Sequence, residues 1–213
     1  MDTSILSTFF ANYEWQLAIY AYIVVMAIPI LTKYLVTLVP AFKEVSQLNQ
    51  EAAAKQVAKS YYNPIQNRSK FWGLLTQLAI FVFILPFCLT LESQPWWQVL
   101  LDVFIILMVY DFFYYMVHRF LFHDGGFGPG PLIWVHSVHH QQKNPCRMDS
   151  NYLNPIETCM GLGLYGACIG VLGALMGDFH LVTIILTWTA FSEINQHNHD
   201  LMKADRFPFK YLK

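Results

Sequence analysis

Residues 111–140 have the sequence DFFYYMVHRFLFHDGGFGPGPLIWVHSVHH and contain five of the eight histidines of the chain. Neutral imidazole offers a nitrogen lone pair, and it is the commonest ligand of transition metals at neutral pH. Because the five histidines fall within 23 residues, we interpret them as ligands of a metal site and not as isolated core or surface histidines. They are His118, His123, His136, His139 and His140.

The spacing of the histidines predicts the local backbone. In HSVHH (136–140) the intervals of three and four residues would place all three rings on one face of a helix. His123 follows His118 by five residues, which is about 140° away on an α-helix, so the helix must end or distort between them. The segment GGFGPGP (125–131) predicts a break after which the second histidine group can turn back to face the first.

Two further histidines follow a later apolar run. His197 is a candidate metal ligand in the same site. On a continued helix His199 would point about 200° away from His197, which favours His197 of the two, although both remain candidates. His180 precedes this apolar run, and we expect it to be no ligand.

The composition indicates a membrane protein. The chain has 213 residues, of which 55% are hydrophobic and 13% charged, whereas soluble domains have about 25% charged residues. The net charge of -1 implies no basic surface for a nucleic acid partner. The four cysteines show no CxxC spacing, which argues against a disulfide framework or a zinc knuckle.

Four segments are apolar for long enough to cross a bilayer, which takes about 20 helical residues. They are 15–39, 71–91, 96–117 and 158–176. A shorter run, 181–194, would complete either a full or a re-entrant hairpin with the fourth segment. We predict an all-α, polytopic bundle of four or five spanning or re-entrant helices. We divide the chain into 1–70, an N-terminal span with an amphipathic surface segment, and 71–213, the membrane domain that carries the histidines.

The basic residues predict the orientation. Twelve of the thirteen Lys and Arg lie in 42–70, 118–157 and 200–213, which alternating spans would place on one side. The positive-inside rule makes that side cytoplasmic. The metal site would therefore be cytoplasmic, with the N-terminus and His180 on the opposite side.

Several charged residues lie near the histidines in sequence. We expect Asp111 to support a metal ligand and not to bind the metal itself, because it shares a helix face with His118 two turns away. Glu193 would either orient His197 from one turn earlier or border a packing interface. Asp102 is either functional or near the lipid headgroups, and Arg119 would contact headgroups or a local acid.

The histidine groups contain no cysteine, which argues against a zinc finger and against an iron–sulfur cluster. Six or more imidazoles exceed what one tetrahedral ion needs, so we infer two metals. Imidazole suits iron, copper, zinc or nickel. A site where membrane helices meet the cytoplasm predicts a lipid substrate, and attack on an unactivated C–H bond needs a redox metal and dioxygen. A dinuclear iron centre would meet that demand.

The pattern HX4H, HX2HH and a later histidine beyond a membrane hairpin resembles the fatty acid hydroxylase/sterol desaturase superfamily. The lead-in YDFFYYMVHR (110–119), Trp134 and NPIE (154–157) extend the resemblance over residues 102–200. It implies a membrane oxygenase that hydroxylates or desaturates a sterol or fatty acyl chain. The implied cofactors are two iron ions (Fe2+) and O2. The implied partner is an external electron donor such as cytochrome b5 or a ferredoxin.

The resemblance also implies a set of site residues and a location. The membrane would be the endoplasmic reticulum in a eukaryote or the inner membrane in a bacterium. The implied catalytic residues are His118, His123, His136, His139, His140 and His197, with His199 as a further metal ligand.

Two departures from the superfamily pattern leave alternatives open. A final HxxHH box is absent up to Lys213, and Asn154 replaces a histidine in NPIE. We expect the sequence to be truncated at its C-terminus; otherwise the site is incomplete and inactive. A non-catalytic membrane protein with a structural zinc or scaffold role is the main alternative. A metal transporter is disfavoured, because the histidines cluster on one side and line no path across the bilayer.

Overall fold

The computed structural model describes residues 12–36, 38–142 and 144–202, and this part of the chain is largely helical. The α-helices are α1 Trp15–Val36, α2 Pro40–Val57, α3 Tyr62–Phe83, α4 Trp96–Val117, α5 Ile133–His136, α6 Pro155–Met176 and α7 Leu181–His197. Short 3-10 helices span Leu85–Phe87, His139–Gln141 and Arg147–Asn151, and a π-helix spans His118–Phe122. The described residues also form two strands, β1 Leu89–Thr90 and β2 Phe179–His180.

Four helical stretches of the described chain are long and apolar enough to cross a membrane. They are Trp15–Leu35, Tyr62–Phe87, Trp96–Phe122 and Pro155–Met176. Many of their large apolar side chains point outward, among them Ile23, Phe104 and Leu175. Such outward apolar faces suit lipid and not water. The predicted all-α, polytopic membrane bundle of four or five spanning or re-entrant helices is therefore confirmed, with four candidate spans among the described residues.

The second span begins earlier than predicted, at Tyr62 and not at residue 71. Pro64 lies in the first turn of α3, which begins at Tyr62. Proline is tolerated at this position, because its missing N–H has no helical partner there. The helix α3 therefore continues through residue 70, the predicted boundary between the two parts of the chain.

The core of the bundle lies where α3, α4, α6 and α7 meet. An aromatic cluster fills it: Tyr165 stacks on Phe191 with ring centroids 4.7 Å apart, and Trp188 packs edge-on against Phe81 at 5.1 Å. α7 has 17 residues and is about 25 Å long, which is shorter than the hydrocarbon core of a bilayer at about 30 Å.

The strands close the end of the bundle opposite the clustered histidines. They pair in parallel, with Leu89 opposite Phe179 and Thr90 opposite His180. The His180 Nδ1 atom accepts a hydrogen bond from Val182 N at 3.2 Å and caps α7. His180 thus lies at one end of α7, and the clustered histidines lie at the other.

The helix α2 carries the predicted amphipathic segment. It packs against α1, α3 and the 3-10 helix Arg147–Asn151. Most of its residues are exposed or half-buried, but Asn49 and Gln56 are buried. The buried Asn49 connects α2 to the region of the histidines.

Candidate metal centre

The first histidine pair is formed by a change of helix type. α4 continues directly into the π-helix His118–Phe122, and His123 then adopts an extended backbone with φ -121° and ψ 179°. A π-helix pairs residues five apart, so it aligns side chains that an α-helix would separate. The Nε2 atoms of His118 and His123 lie 3.1 Å apart. The predicted distortion between these two residues is confirmed.

The glycine-rich loop folds the chain back onto the π-helix. Gly126 and Gly128 have φ angles of 91° and 110°, which L side chains rarely adopt. Gly130 N donates to His123 O at 3.0 Å. A Cβ atom at Gly130 would lie 2.4 Å from Leu121 O, so only glycine permits this approach. The loop thereby brings residues 133–140 against the first histidine pair, as the sequence predicted.

The second histidine group is not on one continuous α-helix, contrary to our expectation. α5 ends at His136, two turn residues follow, and His139–Gln141 is a 3-10 helix. Ser137 Oγ donates to Trp134 O at 2.8 Å, a local bond that competes with regular helix. The rings nevertheless meet, because the Nε2 atoms of His136 and His140 lie 3.0 Å apart.

His199 and not His197 joins the cluster. The Nε2 atoms of His199 and His139 lie 3.1 Å apart. The side chain of His197 is 41% exposed, and its Nδ1 lies 3.5 Å from Asp200 Oδ2. The argument that favoured His197 assumed a continued helix, but α7 ends at His197 and the chain turns. The structure therefore corrects the expected order of these two residues.

Glu157 contacts and orients the imidazole ring of His136. Its side chain is buried, and Oε1 lies 2.7 Å from His136 Nδ1. An ionised carboxylate only accepts, so this contact suits the His136 tautomer whose proton is on Nδ1 and whose Nε2 lone pair faces the cluster. Our sequence reasoning did not identify Glu157 as a site residue. The signal for it was an acidic residue in the first turn of an apolar span.

Asn154, which replaces a histidine in NPIE, has a different role. Its Oδ1 accepts a hydrogen bond from Ile156 N at 3.0 Å. Asn154 is thus the N-cap of α6, a position at which asparagine is strongly preferred. It helps to fix the first turn of α6, on which Glu157 lies.

Burial favours the neutral form of His136, His139 and His140 by lowering their pKa values. It lowers the pKa of His136 to about 4, and the neighbouring His123 lowers that pKa further in the same direction. The pKa values of His139 and His140 are also lowered, chiefly by burial. Neutral imidazoles keep their lone pairs available at pH 7, which metal binding requires.

The spacing of the nitrogens fits metal coordination. With metal–nitrogen bonds of about 2.0–2.1 Å, two ligands at a right angle are about 2.8–3.0 Å apart. The three facing Nε2 pairs are separated by 3.0–3.1 Å. His118, His123 and His136 each offer one ligand nitrogen, and these three atoms lie within 4.8 Å of one another. The residues present therefore fit a metal held by imidazoles.

The charged residues singled out from the sequence lie outside this cluster. Glu193 pairs with Arg147 and not with His197. Arg119 donates to Tyr115 Oη at 2.6 Å. Asp102 is buried within the bundle, whereas Asp111 is exposed and borders a cavity.

A cavity of about 770 Å³ extends from the histidines into the bundle. His118 and Leu107 both line it, and these residues are about 16 Å apart along the helix axis. Leu162 and Phe191 contribute apolar side chains to its wall. Its volume lies within the range of about 300–1,000 Å³ that is usual for ligand pockets.

A family model described as "Fatty acid hydroxylase" matches residues 103–213, slightly more than half of the chain. The chain belongs to the fatty acid hydroxylase family. This assignment confirms the resemblance to the fatty acid hydroxylase/sterol desaturase superfamily. The matched region contains every histidine of the cluster. Membership of this family and the four apolar helices identify the chain as a multi-pass membrane protein.

The chain is also similar to two curated methylsterol monooxygenases. The chain is 32% identical over 138 residues to methylsterol monooxygenase erg25B of Aspergillus fumigatus, which covers 61% of this chain and 44% of that protein. It is 33% identical over 76 residues to methylsterol monooxygenase 1 of Gallus gallus, which covers 35% of this chain and 24% of that protein. The alignments thus span less than half the length of either relative. No solved structure matches the chain.

Proposed function

We propose that this protein is a membrane di-iron oxygenase that hydroxylates or desaturates a lipid with O2 and electrons from an external donor. The observation that carries the proposal is the set of facing imidazole Nε2 atoms at the end of a cavity within a membrane bundle. Membership of the fatty acid hydroxylase family supports it. The names of the two relatives favour a sterol over a fatty acyl chain as substrate.

Six histidines of the cluster would hold the metal: His118, His123, His136, His139, His140 and His199. Bound iron supplies the redox chemistry that activates dioxygen towards an unactivated C–H bond. Glu157 holds the proton of His136 on Nδ1, so that Nε2 remains a donor to the metal. His139 directs its Nδ1 to Tyr152 O at 3.4 Å, which leaves its Nε2 facing His199.

The cavity would bind the lipid. Its apolar side chains, among them Leu107, Leu162 and Phe191, suit a hydrocarbon skeleton. Because the cavity reaches the histidines at one end, a lipid that enters from the bilayer would present one of its carbons to the metal.

The location of the site relative to the membrane is also part of the proposal. The one-sided distribution of Lys and Arg supports a cytoplasmic metal centre. In a eukaryote the membrane would be the endoplasmic reticulum, and in a bacterium it would be the inner membrane. An electron donor such as cytochrome b5 or a ferredoxin would then approach from the cytoplasm.

The proposal is tested with protein expressed from its complete gene in membranes that lack the activity. The membranes are supplied with reduced cytochrome b5 or ferredoxin, O2 and either a methylsterol or a fatty acyl lipid, and products are measured by mass spectrometry. We expect an oxygen-dependent oxidised product that His136→Ala abolishes and His180→Ala does not. Bound zinc without any oxidised lipid would instead favour the structural zinc alternative.

A further inference from the structure

The segment that carries His199 is held in place by two other parts of the chain. His199 lies two residues beyond the end of α7, in a turn. Turns after helices are normally mobile, whereas a metal ligand must keep its position to within about 0.5 Å. The His199 ring directs its Nδ1 to Asn195 O of α7 at 2.8 Å, and the two residues that follow His199 are held by contacts from outside α7.

Asn49 of α2 makes the first of these contacts. Its side chain is buried, and it bonds both backbone groups of Leu201: Oδ1 accepts from Leu201 N at 3.1 Å, and Nδ2 donates to Leu201 O at 3.2 Å. The same Oδ1 accepts from Arg147 N at 2.9 Å. A buried polar group that loses its partners costs free energy, so this arrangement strongly favours one position of residue 201.

Arg147 makes the second contact. Its Nη1 donates to Asp200 Oδ2 at 2.8 Å, and its Nη2 donates to Glu193 Oε2 at 2.5 Å. The guanidinium therefore ties residue 200 to the last turns of α7. Its charge-assisted hydrogen bonds are stronger than those between neutral groups. Together, Asn49 and Arg147 fix the two residues that directly follow His199.

We propose that Asn49 and Arg147 are positioning residues that hold His199 in the metal centre, and that α2 thereby stabilises metal binding from outside the histidine cluster. This inference rests on the proposed metal-binding function. The positions of His118, His123, His136 and His140 are set by the π-helix, the glycine-rich loop and Glu157, which do not involve α2. Loss of Asn49 should therefore weaken the contribution of His199 and leave these four ligands in place.

The first test uses the metal-free protein. In Asn49→Ala, His199 should react faster with diethylpyrocarbonate than in the wild type, as followed by mass spectrometry of the modified peptide. Gln56→Ala is the matched control, because Gln56 is also buried on α2 but its side chain pairs with the nearby Lys59. An unchanged reactivity of His199 in Asn49→Ala would overturn the inference. This readout does not depend on whether the protein binds metal.

The second test is a double-mutant cycle on Co2+ affinity, measured by competition with a chelator. Substitution of a residue that supports a ligand typically costs 10–100-fold in metal affinity, so we expect Asn49→Ala to lower the affinity about 10-fold. In a His199→Ala background the same substitution should have no further effect. Gln56→Ala should leave the affinity unchanged in both backgrounds.

The outcomes of the cycle separate this inference from the proposed function. An equal loss of affinity in both backgrounds would mean that Asn49 acts on the fold in general, which overturns the inference but leaves the metal site intact. If His199→Ala itself had no effect on Co2+ affinity, the assignment of this ligand would be wrong and the inference would fall with it. Asp200→Asn provides a second variant that keeps the shape of the segment while it removes the charge facing Arg147.

Discussion

Removal of the Glu157 carboxylate should weaken metal binding without unfolding the bundle. The carboxylate bonds His136 Nδ1 at 2.7 Å, and both side chains are buried. In Glu157→Ala the ring of His136 loses the group that fixes its tautomer and orientation. Loss of such a partner typically costs about 10–100-fold in metal affinity, which corresponds to about 1.4–2.7 kcal/mol.

Glu157→Gln should have a smaller effect than Glu157→Ala. The glutamine oxygen can still accept from Nδ1, but a hydrogen bond to a charged group contributes about 1.5–3 kcal/mol and one between neutral groups about 0.5–1.5 kcal/mol. The difference of about 1 kcal/mol is equivalent to a loss of about fivefold in affinity.

The assay is chelator competition with Co2+, together with the visible spectrum of the bound ion, which reports the ligand geometry. Glu92→Gln is the control, because Glu92 is an exposed acid near β1, at the opposite end of the bundle. A Glu157→Ala protein with unchanged affinity and spectrum would refute the reasoning. So would a Gln variant that binds metal more weakly than the Ala variant.

Three further predictions concern the ligands, the loop and the topology. His199→Ala should lose metal affinity by chelator competition, whereas His197→Ala should retain it; the reverse would contradict the placement of these rings. Gly130→Ala should lose bound metal, because the added Cβ would lie 2.4 Å from a carbonyl oxygen, while Gly163→Ala, which meets nothing within 4 Å, should keep it. Single cysteines on α2 should react with impermeant thiol reagents only from the cytoplasm, and those in 92–95 only from the other side; reaction of both groups from one side would contradict the orientation.

The sequence predicted the spans well, because their apolar length is a property of each segment alone. It also predicted the distortion between His118 and His123, since two side chains five positions apart do not point in the same direction on an α-helix. The turn formed by the glycine-rich loop after His123 was also predicted, because its residue types favour turns whatever surrounds them.

The remaining features depend on contacts between distant segments. The choice between His197 and His199 depends on where α7 ends, and helix ends are poorly determined by local sequence. α7 ends at His197, and the residues just beyond it are bonded by Asn49 and Arg147, which lie far away in the chain. Glu157 was missed because its contact with His136 forms only when α6 packs beside α5.

The assumption of one helix through HSVHH (136–140) was wrong, yet its conclusion about the rings held. Ser137 and Val138 keep right-handed helical dihedrals, with φ -58° and ψ -25° and φ -60° and ψ -45°, so residues four apart still come to the same side. The spacing therefore predicted that His136 and His140 meet, although it did not predict the backbone that joins them.

The most direct test of the central claim is the metal content of protein expressed from its complete gene and purified without added metal. Elemental analysis and Mössbauer spectroscopy of iron-57 protein should find about two iron ions per chain, as six imidazoles suit more than one ion. His136→Ala should lose iron while His180→Ala retains it. Protein that holds only zinc, or that keeps its iron after His136→Ala, would contradict an iron centre built from the clustered histidines.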